Sequence, residues 1–580
     1  MLQVDDQIVE AVKSIKALLE AGNVKKIIYI DDRFDYQYHK EIFIGLLRTL
    51  RNRLNHLPGR KPKYNFVQSW QMAEPAFSQF AEQKWNNATI PEREKYLTTL
   101  YTKLNEPDYL AVNILEDSIG DLFLTFTPTQ WSEQKEILFG ELQDYEKYLC
   151  LFDYELNDGR KGGQLVQSLL NSPNAPQVYC GIYSHILEPY EEHEKKEEWA
   201  KSLGVSNFYP ISKKRLQNKP SIAGFCNGLR NVLLVKDIEE LKTKSLELIN
   251  ASFDKVKDRI DKIHPDTFNY VVQRSSLGEG IWEIETFLRL SNVLMDQETK
   301  RSLLPKEIRE QYNGSINHIR SIDLIETINP DRFYQEQTKI IEEEEKYYSS
   351  EIINRLHYPL RNGDILRIKE KEYILLCQPC NLSVRNNGKR ANGIDNAFLL
   401  EIHSKDKFIN SDIAKIDTSR EGEIKSFNLN SNQIRYVKFS QFTYVQLLLL
   451  DLVMYQDDGI AKIDLNISEE SLPHSIHLPL VKRYKELRKE YRKYAEILTS
   501  YSTIINGRND NHKRTLDAYI NKPKYLSDFK INGAECYHAE HEIFEFPIKR
   551  IRHYKSTYST ELLKKFMDYL SRTGFDKDFI

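Results

Sequence analysis

The sequence predicts an N-terminal α/β domain with a doubly wound parallel sheet, followed by an α-helical region, a small β-rich domain and a helical C-terminal region. In the first third of the chain, short apolar runs of strand length alternate with amphipathic stretches of helical period, a pattern that favours parallel strands joined by crossover helices. Further along, 358–450 has β-rich runs separated by Asn, Gly and Lys clusters, which favours a small β-barrel or sandwich. The predicted boundaries are an N-terminal helix at 1–22, the α/β domain at 23–235, the helical region at 236–357, the β-rich domain at 358–477 and the helical C-terminal region at 478–580.

Five strand-like runs and the stretches between them define the predicted α/β domain. The helix at 4–20 has apolar residues at helical spacing, and Gly22 follows it as a C-cap residue. The segment at about 71–145 is rich in aromatic residues and is interrupted by prolines, so we interpret it as a helical insertion. The strand-like runs are 24–32, 64–67, 148–153, 177–184 and 207–212, and the helices beside them are 38–54, 162–170, a polar helix that ends near 203 and one that contains 224–234.

The composition indicates a soluble intracellular protein without a global charge field. Lys and Arg total 82 against 85 Asp and Glu, a formal net charge of −3, so any nucleic-acid binding must be local. The six cysteines are sparse for 580 residues, which favours a reducing cytoplasm. The N-terminal residues lack a signal-peptide core, and no apolar run approaches the roughly 20 residues of a membrane span.

Four of the strand-like runs end in, or just before, a polar residue. These residues are Asp31 and Asp32 after the first run, Asp153 at the third, Ser184 at the fourth and Lys213 after the fifth. The carboxyl ends of parallel strands share one edge of a sheet, where ligands bind. Carboxylates attract Mg²⁺, and a cation, a lysine and a hydroxyl can together offset the charge of a transferring phosphoryl group. The set therefore predicts phosphoryl transfer to a carboxylate.

The order of Asp-Asp, Asp, Ser and Lys at successive strand ends resembles the response-regulator receiver family. The matching segments are IIYIDD, YLCLFDYELNDGRKGG, VYCGIYSH and YPISKKRL, and the resemblance spans about 23–235. It implies a flavodoxin-like sheet in which Asp153 is the phosphoacceptor, Ser184 is the switch hydroxyl and Lys213 contacts the phosphoryl group. The implied ligands of Mg²⁺ are Asp31, Asp32, Asp153 and the backbone carbonyl of Glu155.

Two features differ from the family pattern. The acid pair and the acceptor are 121 positions apart, from Asp32 to Asp153, and the loop before Gly159 is shortened, so a purely structural, unphosphorylated domain stays open. Arg33 follows the acid pair in place of another acid, and its guanidinium would either pair with Asp32 or bind phosphate. Individual strand-end acids also serve as helix N-caps. Phosphatases of the haloacid-dehalogenase type need a second Asp two positions on, where this chain has Arg33 and Phe34.

The CQPC motif at 377–380 has the spacing of a metal knuckle. Cys536, His538 and His541 are distant residues that would complete a tetrahedral site. A single CxxC also occurs where a strand end carries two thiols, and we expect that outcome rather than zinc or redox chemistry.

Two basic stretches are candidates for local nucleic-acid binding. The stretch 482–493 holds seven Lys or Arg against two Glu, while apolar and aromatic residues repeat at helical spacing. Such a pattern is typical of a solvated helix face, and contact with nucleic-acid phosphates or with an acidic partner is the alternative. The second patch consists of Lys549, Arg550, Arg552, His553 and Lys555.

The whole layout, including the ending at 546–575, resembles large bacterial receiver-containing proteins encoded beside GHKL-type ATPases in antiphage operons. The resemblance implies a cytoplasmic signalling subunit of a bacterial defence system that accepts a phosphoryl or ATPase-driven signal. It implies a GHKL or histidine-kinase-like ATPase as partner and Mg²⁺ as cofactor. The alternative is a nucleic-acid-binding effector with a structural receiver domain. No catalytic set is identifiable in 236–580.

Overall fold

A computed structural model describes most of the chain. The described residues are 4–35, 39–55, 74–104, 112, 115–156, 161–216, 221–327, 335–390, 395–406, 408–409, 412–413, 420–424, 433–505, 511–512, 529 and 531–571. The chain divides into two compact units. The first unit consists of Met1–Lys255 and Gln297–Asp331, and the second unit of Val256–Asp296 and Arg332–Ile580.

The first unit contains a parallel sheet of five strands in the order β2-β1-β3-β4-β5, which confirms the predicted α/β class. Its strands are β1 (Val24–Ile30), β2 (Phe123–Phe126), β3 (Lys147–Asp153), β4 (Val178–Ser184) and β5 (Phe208–Ser212). Four of them coincide with strand-like runs of the sequence. The predicted run at 64–67 lies outside the described residues, and β2 comes instead from the segment interpreted as a helical insertion.

Apolar side chains cover both faces of this sheet. Alternate residues of β1 point to opposite sides, so Ile27 joins one buried cluster and Ile28 the other. The first cluster includes residues of the N-terminal helix, such as Leu18, and the second includes Trp199. Burial on both faces explains why the strands read as continuous apolar runs.

The α-helices with defined bounds follow the predicted amphipathic stretches in the N-terminal third and continue through the middle of the chain. In chain order they are α1 (Val4–Ala21), α2 (Lys40–Asn55), α3 (Glu74–Asn86), α4 (Ile90–Leu104), α5 (Pro128–Gly140), α6 (Gly162–Leu170), α7 (Glu192–Leu203), α8 (Ser221–Asp261), α9 (Pro265–Phe268), α10 (Ser275–Glu279), α11 (Glu283–Ser302), α12 (Lys306–Asp323), α13 (Gln335–Lys346), α14 (Ser350–Arg355), α15 (Pro379–Leu382), α16 (Leu447–Leu450), α17 (Leu478–Ile505) and α18 (Ser556–Leu570). Short 3₁₀ turns follow two strands of the first unit, Asp32–Phe34 after β1 and Lys213–Leu216 after β5. None of the helices in the described ranges combines the length and the apolar character needed to cross a membrane.

The second unit contains an antiparallel sheet of nine strands. Seven of them run in the order β12-β13-β9-β8-β7-β16-β14, while β6 and β15 both pair with β16; β10 and β11 form a separate hairpin. The strands are β6 (Tyr347–Ser349), β7 (Asp364–Ile368), β8 (Lys371–Leu376), β9 (Asn396–Asp406), β10 (Phe408–Ile409), β11 (Asp412–Ile413), β12 (Glu421–Ile424), β13 (Gln433–Gln446), β14 (Ile460–Asp464), β15 (Tyr537–His538) and β16 (Ile543–Tyr554).

The prediction of a helical C-terminal region is wrong for β16. This strand of 12 residues pairs with β7 on one side and β14 on the other, so it lies inside the sheet. Its side chains alternate between buried and exposed, with Phe544 and Phe546 buried and Glu545 exposed. This period of two is the pattern of a strand. Helices α17 and α18 do lie in the region as predicted.

Candidate functional site

The sheet of the first unit brings three of the predicted site residues together. Ile30 at the end of β1 pairs with Phe152 on β3, so Asp31 and Asp153 follow from adjacent strand ends. Lys213 follows the end of β5, which β4 separates from β3, and reaches both acids. All three side chains are buried. The carboxyl edge of the sheet therefore holds a compact cluster of charged groups.

Lys213 lies between the two carboxylates. Its Nζ is 3.3 Å from Oδ2 of Asp31 and forms an ion pair with Oδ1 of Asp153. The same Nζ is 5.7 Å from the ring centroids of Tyr29 and Tyr183, a distance at which an ammonium is attracted to an aromatic face. The lysine is thus held by two acids and two aromatic rings.

Asp31 is the more strongly stabilised of the two acids. Its Oδ1 accepts a hydrogen bond from the Arg33 backbone N–H at 2.9 Å, and its Oδ2 accepts from Arg33 Nε at 2.6 Å and from the Tyr29 hydroxyl. Burial alone would raise the pKa of Asp31, but Arg33 and Lys213 outweigh it and hold this pKa below its usual range. Asp31 therefore stays ionised, and Arg33 makes an ion pair with it.

Asp153 has the opposite balance. Burial and the nearby negative charge of Asp31 raise the pKa of Asp153 to about 6, although Lys213 acts to lower it. Perturbed carboxyl groups of this kind cluster at functional sites. At neutral pH the group is still mostly ionised, so Asp153 is a charged carboxylate in a buried position that disfavours its charge.

The start of α6 lies directly over the end of β3. A Cβ added to Gly162 would be 1.9 Å from the carbonyl oxygen of Asp153, so only glycine allows this approach. The Gly162 N–H donates to the carbonyl of Tyr154 at 3.0 Å, which joins the start of α6 to the residue after β3. Gly162 thus allows the backbone of α6 to approach that of Asp153 closely.

Ser184 lies at the same edge but makes a different contact. It ends β4, pairs in register with Ser212 on β5 and is fully buried. Its Oγ accepts a hydrogen bond from the Ile186 N–H at 3.3 Å. The residue is therefore placed at the predicted strand end, with its hydroxyl directed to the following loop.

Two carboxylates of this cluster fit a Mg²⁺ ion. Within the described ranges, no three His, Cys, Asp or Glu side chains are grouped so that they could hold a metal ion. Mg²⁺, however, is usually bound through one or two carboxylates together with waters and substrate phosphates. Asp31 and Asp153 supply two carboxylates that already share one cation, the ammonium of Lys213. Asp32 is half-buried in its 3₁₀ turn and the side chain of Glu155 is exposed, so their part in metal binding stays a prediction.

Tyr29 is a site residue that sequence reasoning missed. It lies on β1 two residues before Asp31, and the alternation of a strand puts both on the same side. Burial raises the pKa of Tyr29 well above its usual value, so the phenol stays protonated and donates to Asp31. The signal was an aromatic hydroxyl at position i−2 from a candidate acid.

The CQPC motif divides between the interior and the surface. Cys377 and Cys536 are buried, Cys380 is exposed, and all the cysteines are free thiols. Burial raises the pKa of the Cys377 thiol, which keeps it protonated. His538 and His541 are exposed. No metal-binding group includes these residues in the part of the chain that the structure describes.

The first basic stretch forms part of α17. Its aromatic and aliphatic residues are buried as the spacing predicts, Tyr484 and Leu487 among them. Most of its cations contact neighbouring groups. These contacts are Lys482 with the Asn386 carbonyl, Arg483 with Asp451, Lys485 with Glu469, Arg488 and Arg492 with the Leu465 carbonyl, and Lys493 with Glu490.

The second basic patch is not a continuous basic surface. Arg550 is fully buried and donates from Nε to the Asn354 side chain at 2.9 Å. His553 is buried as well, and its Nδ1 lies 2.8 Å from Oδ1 of Asp364. The register of β16 shifts between Arg550 and Arg552, and both Arg550 and His553 are buried, so these two side chains are not available to nucleic-acid phosphates.

Comparison of the chain with protein-family models, with curated proteins and with solved structures finds no match. The resemblance to the receiver family therefore rests on the residues at the strand ends and on a sheet order that is compatible with a flavodoxin-like fold. The fold itself is established as a five-stranded parallel α/β sheet with a separate antiparallel sheet in the second unit.

Proposed function

We propose that the first unit is a receiver-like regulatory domain in which Asp153 accepts a phosphoryl group. The observation that carries the proposal is the buried contact of Lys213 Nζ with both Asp31 and Asp153 at the carboxyl edge of the parallel sheet. Open α/β sheets bind their ligands at this edge. A phosphoryl group on Asp153 would bring negative charge to a place where a cation is already fixed.

In the proposed reaction, a carboxylate oxygen of Asp153 forms the bond to phosphorus while the leaving group of the donor departs with the electrons of the broken bond. A pKa of about 6 keeps Asp153 mostly ionised at neutral pH, so the nucleophile needs no general base. Lys213 offsets the charge on the transferring group. Ser184, at the end of the next strand, is the hydroxyl that responds to the new phosphoryl oxygens and shifts the loop after β4.

Asp31 and Asp153 are the residues that would hold Mg²⁺ in this domain. When bound, the ion neutralises phosphoryl oxygens and orients the donor. Asp31 suits this role because Arg33 and Lys213 keep its carboxylate ionised. The hydrogen bond from Tyr29 fixes the direction of that carboxylate.

The wider setting is proposed on the resemblance of the whole layout alone. It consists of a GHKL or histidine-kinase-like ATPase as the upstream partner and of bacterial antiphage defence as the process. No specific observation favours the alternative of a nucleic-acid-binding effector. Arg550 and His553 are buried, and most cations of α17 contact carboxylates or backbone carbonyls.

The proposal is tested by labelling the full chain with radioactive acetyl phosphate in the presence of Mg²⁺. We expect acid-stable, hydroxylamine-sensitive label on the wild type and none on Asp153→Asn. Asp237→Asn is the matched control, because Asp237 is a half-buried acid of the same unit whose partner is not in the cluster. Its Oδ2 lies 2.6 Å from His318 Nδ1. Equal labelling of the wild type and Asp153→Asn would overturn the proposal.

A further inference from the structure

The 3₁₀ turn that carries Lys213 is held by a buried carboxylate from the neighbouring helix. Glu192, in the first turn of α7, is fully buried. Its Oε1 accepts a hydrogen bond from the Ser212 N–H at 2.7 Å. Arg215 binds the same carboxylate in a bidentate manner, with Nε 2.6 Å from Oε1 and Nη2 2.7 Å from Oε2. We call these three residues the Glu192 clamp.

Two residues of the clamp flank Lys213 in the sequence. Ser212 precedes Lys213 and Arg215 lies two positions after it, so one carboxylate binds the backbone just before the lysine and the side chain of a residue just after it. A bidentate guanidinium contact fixes direction as well as distance. The backbone position of Lys213 is therefore determined by α7, although the side chain acts at Asp31 and Asp153.

On the side of α8, the backbone of the turn lies close to the backbone of that helix. A Cβ added to Gly224 would be 2.6 Å from the carbonyl oxygen of Arg215, and Nη1 of Arg215 donates to the Gly224 carbonyl at 3.2 Å. The turn is thus packed between α7 and α8. It has little room to move unless the contact with Glu192 opens.

Further bonds join the same turn to the loop after β4. Ser212 Oγ donates to the Leu187 carbonyl at 2.5 Å, and Lys214 pairs with Glu188. Leu187 and Glu188 lie a few residues after Ser184, the end of β4. The loop that follows the proposed switch hydroxyl and the turn that carries the proposed phosphoryl contact are therefore one hydrogen-bonded assembly.

We propose that Glu192 is a positioning residue that keeps Lys213 Nζ between Asp31 and Asp153. A lysine side chain has a long flexible stem, so its amine stays at one point only when the backbone beneath it is fixed. The charge on Glu192 is needed because an amide in its place binds the Arg215 guanidinium more weakly. The functional meaning of this role rests on the proposed phosphoacceptor function, but the position of Lys213 is measurable without it.

The test compares the acylation rate of Lys213 by acetic anhydride, read by mass spectrometry of the full chain after digestion. Glu192→Gln keeps the shape of the side chain and an acceptor for the Ser212 N–H but removes the charge. Glu239→Gln is the matched control, because Glu239 pairs at 2.8 Å with Lys196, a buried cation of α7 that is not part of the clamp. We expect acylation about tenfold faster in Glu192→Gln, since hydrogen bonds to charged groups hold the turn closed. Glu239→Gln should react as the wild type does.

Equal acylation of Lys213 in Glu192→Gln and Glu239→Gln would overturn the inference. If Glu192→Gln lowers the melting temperature strongly, the double variant with Arg215→Met removes the stranded guanidinium and recovers stability. The inference then expects fast acylation in the double variant, and slow acylation contradicts it. If the wild-type chain takes no phosphate label, the proposed phosphoacceptor function is refuted, but the acylation rates still test the positioning role of Glu192. Failure of the proposed function and failure of this inference are therefore distinguishable.

Discussion

Buried carboxylates occur in both units of the chain, and Asp153 of the first unit is neutralised differently from the buried aspartates of the second. In the second unit, Asp451 is fully buried and is bound by Arg390 and Arg483, with Nε of Arg483 at 2.8 Å from Oδ2. Burial alone would raise the pKa of Asp451, yet the two guanidinium groups hold it below its usual range. This aspartate has its charge fully matched.

Asp364 of the second unit follows the same rule. It is buried, its Oδ1 lies 2.8 Å from Nδ1 of His553, and its other oxygen faces Arg550. Burial is again outweighed by these partners, and the pKa of Asp364 is lowered. Such saturated ion pairs join β7 to β16 and act as structural braces, since removing one partner would strand the other charge.

In the first unit, Asp153 has a raised pKa even though it contacts Lys213. The difference arises because one ammonium is shared between two acids, and Arg33 favours Asp31. A buried acid without a full complement of cations is the place where we propose that a metal ion and a phosphoryl group bind. All three aspartates are buried, so burial does not distinguish them. The number of cations around each carboxylate separates the structural braces, Asp451 and Asp364, from the candidate reactive group, Asp153.

The largest effect is expected for removing a brace. Asp451→Ala leaves two buried guanidinium groups unpaired and should lower the free energy of unfolding of the second unit by about 3–5 kcal/mol. Hydrogen exchange of the strands of that unit measures the loss. Asp457→Ala is the control, because the side chain of Asp457 is 74% exposed and should change stability by no more than about 0.5 kcal/mol. Similar effects of the two replacements would contradict the assignment of Asp451 as a brace.

The next replacement, Asp153→Asn, is expected to raise stability rather than to lower it. Because the folded pKa of Asp153 is about 6 against 3.8 for the free group, the folded state binds more protons between these values and loses stability as pH rises through them. Asp153→Asn should therefore stabilise the first unit at pH about 8, by up to about 3 kcal/mol, and not at pH about 4. Denaturant unfolding at the two pH values measures the difference.

Asp31→Asn sharpens the same comparison. The folded pKa of Asp31 lies below its usual range, so its charge stabilises the fold above pH about 4 and that stability is lost at lower pH. Its replacement should destabilise the first unit at neutral pH. If Asp153→Asn destabilises the unit as Asp31→Asn does, the two acids are equivalent braces and the distinction is lost.

A smaller loss of stability is expected from crowding the backbone at Asp153. Gly162→Ala places a Cβ against the Asp153 carbonyl and should cost about 1–3 kcal/mol while lowering the phosphate label. Gly45→Ala in α2 is the control, since an added Cβ meets nothing within 4 Å and a helical glycine is destabilising by roughly 0.5–1 kcal/mol relative to alanine. Unfolding curves and labelling of both variants decide whether the Gly162 approach matters.

Strand positions were predictable where burial covers both faces of the sheet. Apolar runs then mark strands directly, as they do for β1, β3, β4 and β5. Strand β2 has only four residues in a helix-rich segment, so its apolar run does not stand out. The alternation of β16 was present in the sequence, but its basic residues suggested a surface patch, whereas pairing with Asp364 and Asn354 allows Arg550 to be buried.

The charged cluster was predictable because strand ends of a parallel sheet meet at one edge, whatever the length of chain between them. That rule places Asp31, Asp153 and Lys213 together across a long insertion. It does not give the partner of Arg33 or the contact of Glu192 with the Lys213 turn, because both depend on side-chain directions and on how α7 packs. Glu192 looks like an ordinary residue of an acidic helix in the sequence.

Reductive trapping shows which residue of the chain receives the phosphoryl group. The full chain is treated with acetyl phosphate and Mg²⁺, the acyl phosphate is reduced with borohydride, and the modified residue is located by peptide mapping. The account predicts modification at Asp153, strongly reduced in Lys213→Ala and unchanged in Asp237→Asn. Modification at another residue, or none at Asp153 under any condition, would contradict it.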